Sequence, residues 1–196
     1  MSATASSTSG WQTEDNCVSG KCLAFDGSND YVDGGNNASL NSTAMTVSAW
    51  VKLNSLSPAY SAIIHKGDGT YYYEYFVKSN GKLAVYINNL GGGVEYDGTG
   101  SYTLTTGVWY HLVFTYASGV LNGYVNGNLD YSATGGGLTS GTFPGNLSIG
   151  RDGATAGRYL NGRIDEPKIY NYARSAAQIK MDYNVGLAGM SGASAG

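Results

Sequence analysis

Charge, proline, cysteine and histidine are all scarce in this chain. Asp, Glu, Lys and Arg together make up 13% of the 196 residues, alongside three prolines, two cysteines and two histidines. Helix bundles do not have such a composition. Eleven Lys and Arg stand against fourteen Asp and Glu, giving a net charge of -3, and the cations are scattered singly. A nucleic-acid surface needs a basic stripe to neutralise phosphates, so that class is excluded. No apolar run approaches bilayer-spanning length, and membrane insertion is not expected. Residues 1–10 have neither the basic start nor the apolar segment of a signal peptide, so an export signal is expected upstream or already removed.

What is abundant is glycine, at 30 residues, and tyrosine, at 17. That bias favours short strands joined by tight turns. The length suits one domain. Ser/Thr/Ala-rich residues 1–16 and Gly/Ser/Ala-rich residues 187–196 hold little that could fill a core, so both are expected to be linkers or tails around a domain at 17–186. Cys17 and Cys22 are flanked by Asn16, Ser19 and Gly20, which let the chain turn back, and a local disulfide is the expected pairing. A metal pair or redox couple is the alternative, but the spacing is not CxxC and no second ligand pair accompanies it. A disulfide places the chain outside the cytosol. Sequons at Asn37, Asn41 and Asn146 fit that setting.

Short β-like runs recur between turn signals: LAF, MTVSAWV, SAII, YYYEYFV, KLAVYI, VWYHLVFTY, VLNGYV, LDY and LSIG. Asn80-Gly81, Ser118-Gly119 and Asn126-Gly127 supply the positive φ of hairpin turns. Asn161-Gly162 is expected to be another turn, opening a strand in LNGRIDEPKIYNYAR. The alternation places Tyr110, Leu112, Phe114 and Tyr116, with Val47, Ala49 and Val51, in the core. One short helix is expected after Ser175, where Ser175 and Gln178 make a capping box and Ile179 and Tyr183 fall four apart. Brief strands without strand-helix alternation predict two antiparallel sheets packed face to face, an all-β sandwich with one C-terminal helix.

KCLAFDGSNDYV, MTVSAWVKL, IIHKGDG, GVWYHLVFTY, GYVNG and GRIDEPKIYNYARSAAQI, in that order, resemble a LamG-like, concanavalin A-like lectin/glucanase domain across roughly Gly20 to Gly186. The resemblance implies a jelly-roll β-sandwich, commonly an extracellular module that binds carbohydrate or protein, often with calcium at one edge. Asp-Gly turns at Asp26 and Asp33 offer the carboxylates and carbonyls that calcium uses. Asp165 is a further candidate if the first and last strands pair as in similar folds, and Asp30 another. The metal set is therefore Asp26, Asp30 and Asp165, for a structural calcium. The alternative is that these residues hold turns and strand edges.

Catalysis is not expected. No paired carboxylates of the Glu-x-Asp-x-Glu kind occur, Glu74 lies between Tyr72 and Phe76 on its strand face, and neither His65 nor His111 sits in a nucleophile motif. Tyrosine offers a ring for a sugar face and a hydroxyl for hydrogen bonding. Tyr71, Tyr73 and Tyr75 share a strand face that Tyr86 or Trp109 extends, a candidate carbohydrate platform; the alternative is that this stripe is core. The expected function is a non-catalytic extracellular recognition module for a glycan or cell-surface protein, within a larger protein or assembly. The alternatives are a structural or adhesive subunit of a filament, surface layer or virion, and a glycan-cleaving enzyme.

Overall fold

A computed structural model describes residues 10–89, 92–135 and 142–193. Its strands are β1 (Gly10–Trp11), β2 (Leu23–Asp26), β3 (Val32–Gly35), β4 (Met45–Leu53), β5 (Tyr60–Gly67), β6 (Tyr72–Lys78), β7 (Leu83–Asn89), β8 (Gly92–Asp97), β9 (Trp109–Ala117), β10 (Val120–Val125), β11 (Asn128–Thr134), β12 (Leu147–Ile149) and β13 (Asn161–Tyr170), followed by helix α1 (Ala176–Ala193). Local turn chemistry explains the meander at β9–β11. Ser118 and Gly119 have φ of 51° and 80°, and Asn126 and Gly127 have 52° and 74°, the paired left-handed conformation that matches strand twist. At the β6–β7 connection only Gly81 is left-handed, with φ 75°; Asn80 contributes through its side chain, which accepts from the Lys82 amide at 3.1 Å.

The strands assemble into two antiparallel sheets that pack face to face as a sandwich. The seven-stranded sheet has the order β1-β2-β13-β4-β9-β10-β11, and the six-stranded sheet β3-β12-β5-β6-β7-β8. Val47, Ala49 and Val51 on β4 and Leu112, Phe114 and Tyr116 on β9 meet Tyr73, Tyr75, Val85 and Ile87 from the other sheet. Aromatic edges join the two layers: Phe114 of β9 meets Tyr75 at 5.3 Å and Tyr73 at 6.4 Å between centroids, both edge-on. Each buried large side chain contributes about 1.5–3 kcal/mol over leaving it in water.

Three sequence expectations need correction. Asn161 and Gly162 are not a turn but the first residues of β13, paired with Asp26 and Phe25. Glycine serves close approach there, since a Cβ on Gly162 would lie 2.3 Å from the Lys52 carbonyl oxygen on β4. The irregularity falls further on, where β13 slips register between Asp165 and Lys168. Glu166 has φ 47° and Pro167 sits in the same bulge, a position that tolerates a residue without an N–H. Secondly, the helix is not short. It runs for 18 residues to Ala193, beyond the expected domain end at 186. Thirdly, the segment before Cys17 is not all tail, because Gly10 and Trp11 pair with Ala24 and Leu23 and Glu14–Asn16 form a 3-10 turn. Residues 1–9 of that expected tail, and 194–196 of the other, lie outside the described residues.

Tertiary packing carries the helix past its glycines. Its start follows the expected capping box: Ser175 N–H donates to Gln178 Oε1 at 2.9 Å, and Gln178 N–H to Ser175 Oγ at 3.3 Å. Ile179 is fully buried beside Val113 and Tyr124. Tyr183 stacks on Trp50 at 5.7 Å, and Trp50 lies 5.2 Å from His111. A Cβ on Gly186 would sit 2.5 Å from the Trp50 ring, so this glycine costs helix propensity and gains the close contact that holds the last turns. Gly186→Ala should therefore destabilise the fold by about 1–3 kcal/mol, although alanine is the better helix former; chemical denaturation followed by tryptophan fluorescence reads this.

His111 lies inside this contact and is held neutral: burial first, then Lys168 and Arg174, push its pKa from 6.5 down to about 4. A depressed histidine contributes full stability above its unfolded pKa. That stability is lost as pH falls, because only the unfolded chain takes up the proton. Between pH 6.5 and about 4 the loss should reach on the order of 2–3 kcal/mol, and His111→Gln should flatten this part of the stability-pH curve measured by urea unfolding.

Candidate functional site

The two sheets differ in what covers their outer faces. Helix α1 lies on the seven-stranded sheet. On the six-stranded sheet, alternation sends Tyr73, Tyr75 and Val77 inward and leaves Tyr72, Glu74 and Phe76 on the outer face. Register then builds a row across four strands, with His65 opposite Glu74, Glu74 opposite Tyr86, and Tyr86 opposite Glu95. Beside it lies an apolar patch of Ala62, Phe76 and Ala84, flanked by Tyr60 and Tyr86. A shallow cavity of 170 Å³ opens here, lined by Tyr60, Tyr72, Glu74, Tyr86, Glu95 and Arg158.

The loop after β12 supplies the rest. Asp152 turns that loop on itself, its Oδ1 accepting from the Ala154 and Thr155 amides at 2.8 and 3.0 Å. Its Oδ2 accepts from Arg158 Nη1 at 3.1 Å, and the Arg158 guanidinium lies over the Tyr60 ring at 4.7 Å and the Phe76 ring at 5.4 Å. His65 Nε2 is 3.4 Å from Glu74 Oε1 and 3.6 Å from Asp152 Oδ1. Neither ring nitrogen has a hydrogen-bond partner among the described residues.

Electrostatics follow from burial. Burial, reinforced by the Asp152 charge and opposed by Arg158, raises the Glu74 pKa from 4.5 to about 7. Burial also lowers the His65 pKa, with Asp152 opposing. At the rim, Asp97 is held below its usual range chiefly by its hydrogen bond to Lys78, 2.8 Å away, and by the Tyr86 hydroxyl. Tyr86 is raised by burial and by that same Asp97.

Of the residues expected to form a carbohydrate platform, Tyr86 alone lies in this groove. Tyr73 and Tyr75 are fully buried between the sheets and cannot touch a surface ligand. Tyr71 is in the turn before β6, its amide donating to Asp68. Trp109 is on β9 of the other sheet, opposite Lys52, and shares its outer face with His111. The register was missing from the sequence reading: Tyr73 and Tyr75 turned inward, so the outer-face set of YYYEYF is even-numbered. A glutamate among those aromatics was the available signal, since a central strand tolerates a buried carboxyl only with partners. Arg158, Asp152 and Tyr60 come from distant loops and strand ends and gave no local sign.

The expected calcium trio is not brought together. Asp26 lies opposite Asn161, four residues before Asp165 on β13, a separation of about 13 Å along a strand. Asp26 Oδ1 accepts from the Ser28 amide at 2.7 Å, and Asp30 Oδ2 from the Asp26 amide at 3.0 Å. Asp165 accepts from Val18, Ser19 and Glu166 amides at 2.8, 2.9 and 2.8 Å. This carboxylate ties the loop of the Cys17–Cys22 disulfide to the last strand. Asp26, Asp30 and Asp165 thus offer no shared oxygen cage. A larger cavity of 670 Å³ lies between the sheet edges, walled by Phe25, Val32, Leu147, Ile149 and Ile164, and is mainly apolar.

The comparisons with known proteins agree with this architecture. A family model described as concanavalin A-like lectin/glucanases superfamily matches residues 26–180. The chain belongs to the concanavalin A-like lectin/glucanases superfamily. Among solved structures, domain 4 of AbnA, a GH43 extracellular arabinanase from Geobacillus stearothermophilus, in complex with arabinotriose, is 20% identical with TM-score 0.70, covering 91% of this chain and 82% of that one. The binding domain of Paraclostridial Mosquitocidal Protein 1 is 16% identical with TM-score 0.73, covering 94% and 47%. A putative carbohydrate binding protein from Bacteroides ovatus is 21% identical with TM-score 0.64, covering 81% and 45%. This superfamily member therefore spans less than half of the latter two chains. At these identities the likeness is one of fold. No curated protein matches.

A carboxyl titration followed by ¹³C NMR in chelator-treated protein should place the Glu74 midpoint near 7. Arg158→Gln should move it higher, because the opposing positive charge is gone.

Proposed function

We propose that the chain is a non-catalytic carbohydrate-binding module that works outside the cell, displayed by a larger protein. The observation that carries this is the aromatic groove on the outer face of the six-stranded sheet, where Tyr60, Tyr72 and Tyr86 surround a cavity also lined by Glu74, Glu95 and Arg158. Rings offer area to a sugar face, while carboxylates and a guanidinium supply directional partners for its hydroxyls. Similar solved folds include a domain in complex with arabinotriose and a putative carbohydrate binding protein, which supports the same reading. The disulfide supports an oxidising setting. Among the described residues, no helix is long and apolar enough to cross a membrane.

Glycan cleavage is disfavoured by the geometry around Glu74. Donor oxygens of Glu74 and Asp152 lie within 4.8 Å of each other, close to the carboxyl separation of about 5 Å in retaining glycosidases. His65 Nε2 contacts both carboxylates, at 3.4 and 3.6 Å, and the His65 and Asp152 side chains are fully buried, so a glycosidic bond cannot reach between the two carboxyls. A structural or adhesive role draws on a different feature: Met181 and Val185, four residues apart on one side of α1, are 58% and 69% exposed, apolar side chains suited to a protein neighbour.

A glycan array read with the folded protein should show selective binding. Tyr72→Ala and Tyr86→Ala should each weaken it about three- to tenfold, whereas Tyr102→Ala, remote from the groove, should not. Absence of binding by correctly folded protein across the array moves the assignment to the assembly role.

A further inference from the structure

His65, Glu74 and Asp152 form a compact donor cluster that the sugar-binding reading does not use. All three residues are buried, and one nitrogen and two carboxylate oxygens lie within 4.8 Å of one another. The His65 contacts, at 3.4 and 3.6 Å, are too long and poorly directed for good hydrogen bonds, and both ring nitrogens are left without one among the described residues. A fully buried imidazole with no partner is costly unless something else satisfies it. The same distances have a second meaning. A tetrahedral ion with bonds of about 2.0–2.2 Å to nitrogen and oxygen places its donor atoms about 3.3–3.6 Å apart.

We infer that His65 Nε2, Glu74 Oε1 and Asp152 Oδ1 bind a small divalent transition-metal ion, of which zinc is the best fit. Imidazole with two carboxylates suits zinc, cobalt or nickel rather than calcium, which prefers six or more oxygens. Two carboxylates crowded around a neutral ring leave an excess of negative charge that Arg158 offsets only in part, and a dication removes it. The supporting contacts are in place. Two amides and Arg158 orient the Asp152 carboxylate, as outer contacts of metal-bound carboxylates do. Gly153 leaves room for the ring, because a Cβ there would lie 2.9 Å from His65 Nδ1.

Three protein donors leave a tetrahedral ion one position for water or a ligand oxygen. Glu74 also lines the groove, so a sugar hydroxyl is the ligand this position would take. That last link rests on the carbohydrate-binding reading, whereas the ion itself does not.

The test uses tag-free protein after chelator dialysis, titrated with Zn²⁺ alone by calorimetry and with Co²⁺ alone by visible absorption. The expected result is one equivalent bound, with the intense absorption of four-coordinate cobalt. The chain has two histidines, so imidazole NMR assigns the site even if a variant fails to fold: Zn²⁺ should shift the His65 ring and leave His111 unmoved. His65→Gln and Asp152→Asn should each weaken uptake about 100-fold or more. No uptake, unchanged uptake by folded His65→Gln, or displacement of Co²⁺ by an equal concentration of Ca²⁺ would each overturn the site. A Tyr72→Ala, Tyr86→Ala double variant that loses glycan but keeps Zn²⁺ supports both readings. An array without hits beside intact Zn²⁺ uptake removes only the sugar reading.

Discussion

The last strand is the constraint on which the rest of this molecule depends. β13 lies between β2 and β4 in the seven-stranded sheet, so the first full strand pairs with nothing on its inner side until the end of the chain arrives. Every consequence at that edge follows from this placement. Asp165 can grip the Val18 and Ser19 amides, and β1 can add outside β2. The chain leaving β13 is delivered onto the outer face of the same sheet, where Arg174 N–H meets Thr46 Oγ1 at 2.8 Å and α1 begins. Such long-range pairing is slow to form because loop closure precedes its reward, and it makes the two ends of the domain one unit.

Helix α1 covers one sheet, and the loop after β12 closes over part of the other. The six-stranded sheet has a polar and aromatic outer face instead of a helix, so the two outer faces of the sandwich differ in chemistry. The groups there do not stabilise one another fully. Glu74 is half-way to neutral near physiological pH, and His65 is buried without a hydrogen bond among the described residues. A core designed only for stability avoids such groups, whereas binding sites commonly hold them.

Much of the fold was legible because strand alternation and turn residues act locally. Ser118-Gly119 and Asn126-Gly127 set hairpins wherever they occur, and Val47, Ala49, Val51, Leu112, Phe114 and Tyr116 face the core as their spacing requires. Ser175 and Gln178 start the helix by the same local logic. The site was less legible. Period-two alternation states that Tyr73 and Tyr75 lie opposite Tyr72 and Glu74 but not which pair faces inward, and the more aromatic set was equally suited to either role. Asp26 and Asp165 were separated by the pairing offset of β2 and β13, a quantity that neither segment encodes.

By itself, then, the amino-acid sequence determined the strands, the tight turns, the helix start and the membership of the concanavalin A-like superfamily, because these depend on neighbours within a few residues and on an ordered series of segments. Tertiary structure alone decided which face of β6 is exposed, how far α1 continues through Gly186 and Gly189, and that His65, Glu74 and Asp152 meet. The physical reason is that these depend on register and on packing between segments distant in the chain. There a shift of one residue exchanges core for surface, and a glycine is chosen for its partner's ring rather than for its own propensity.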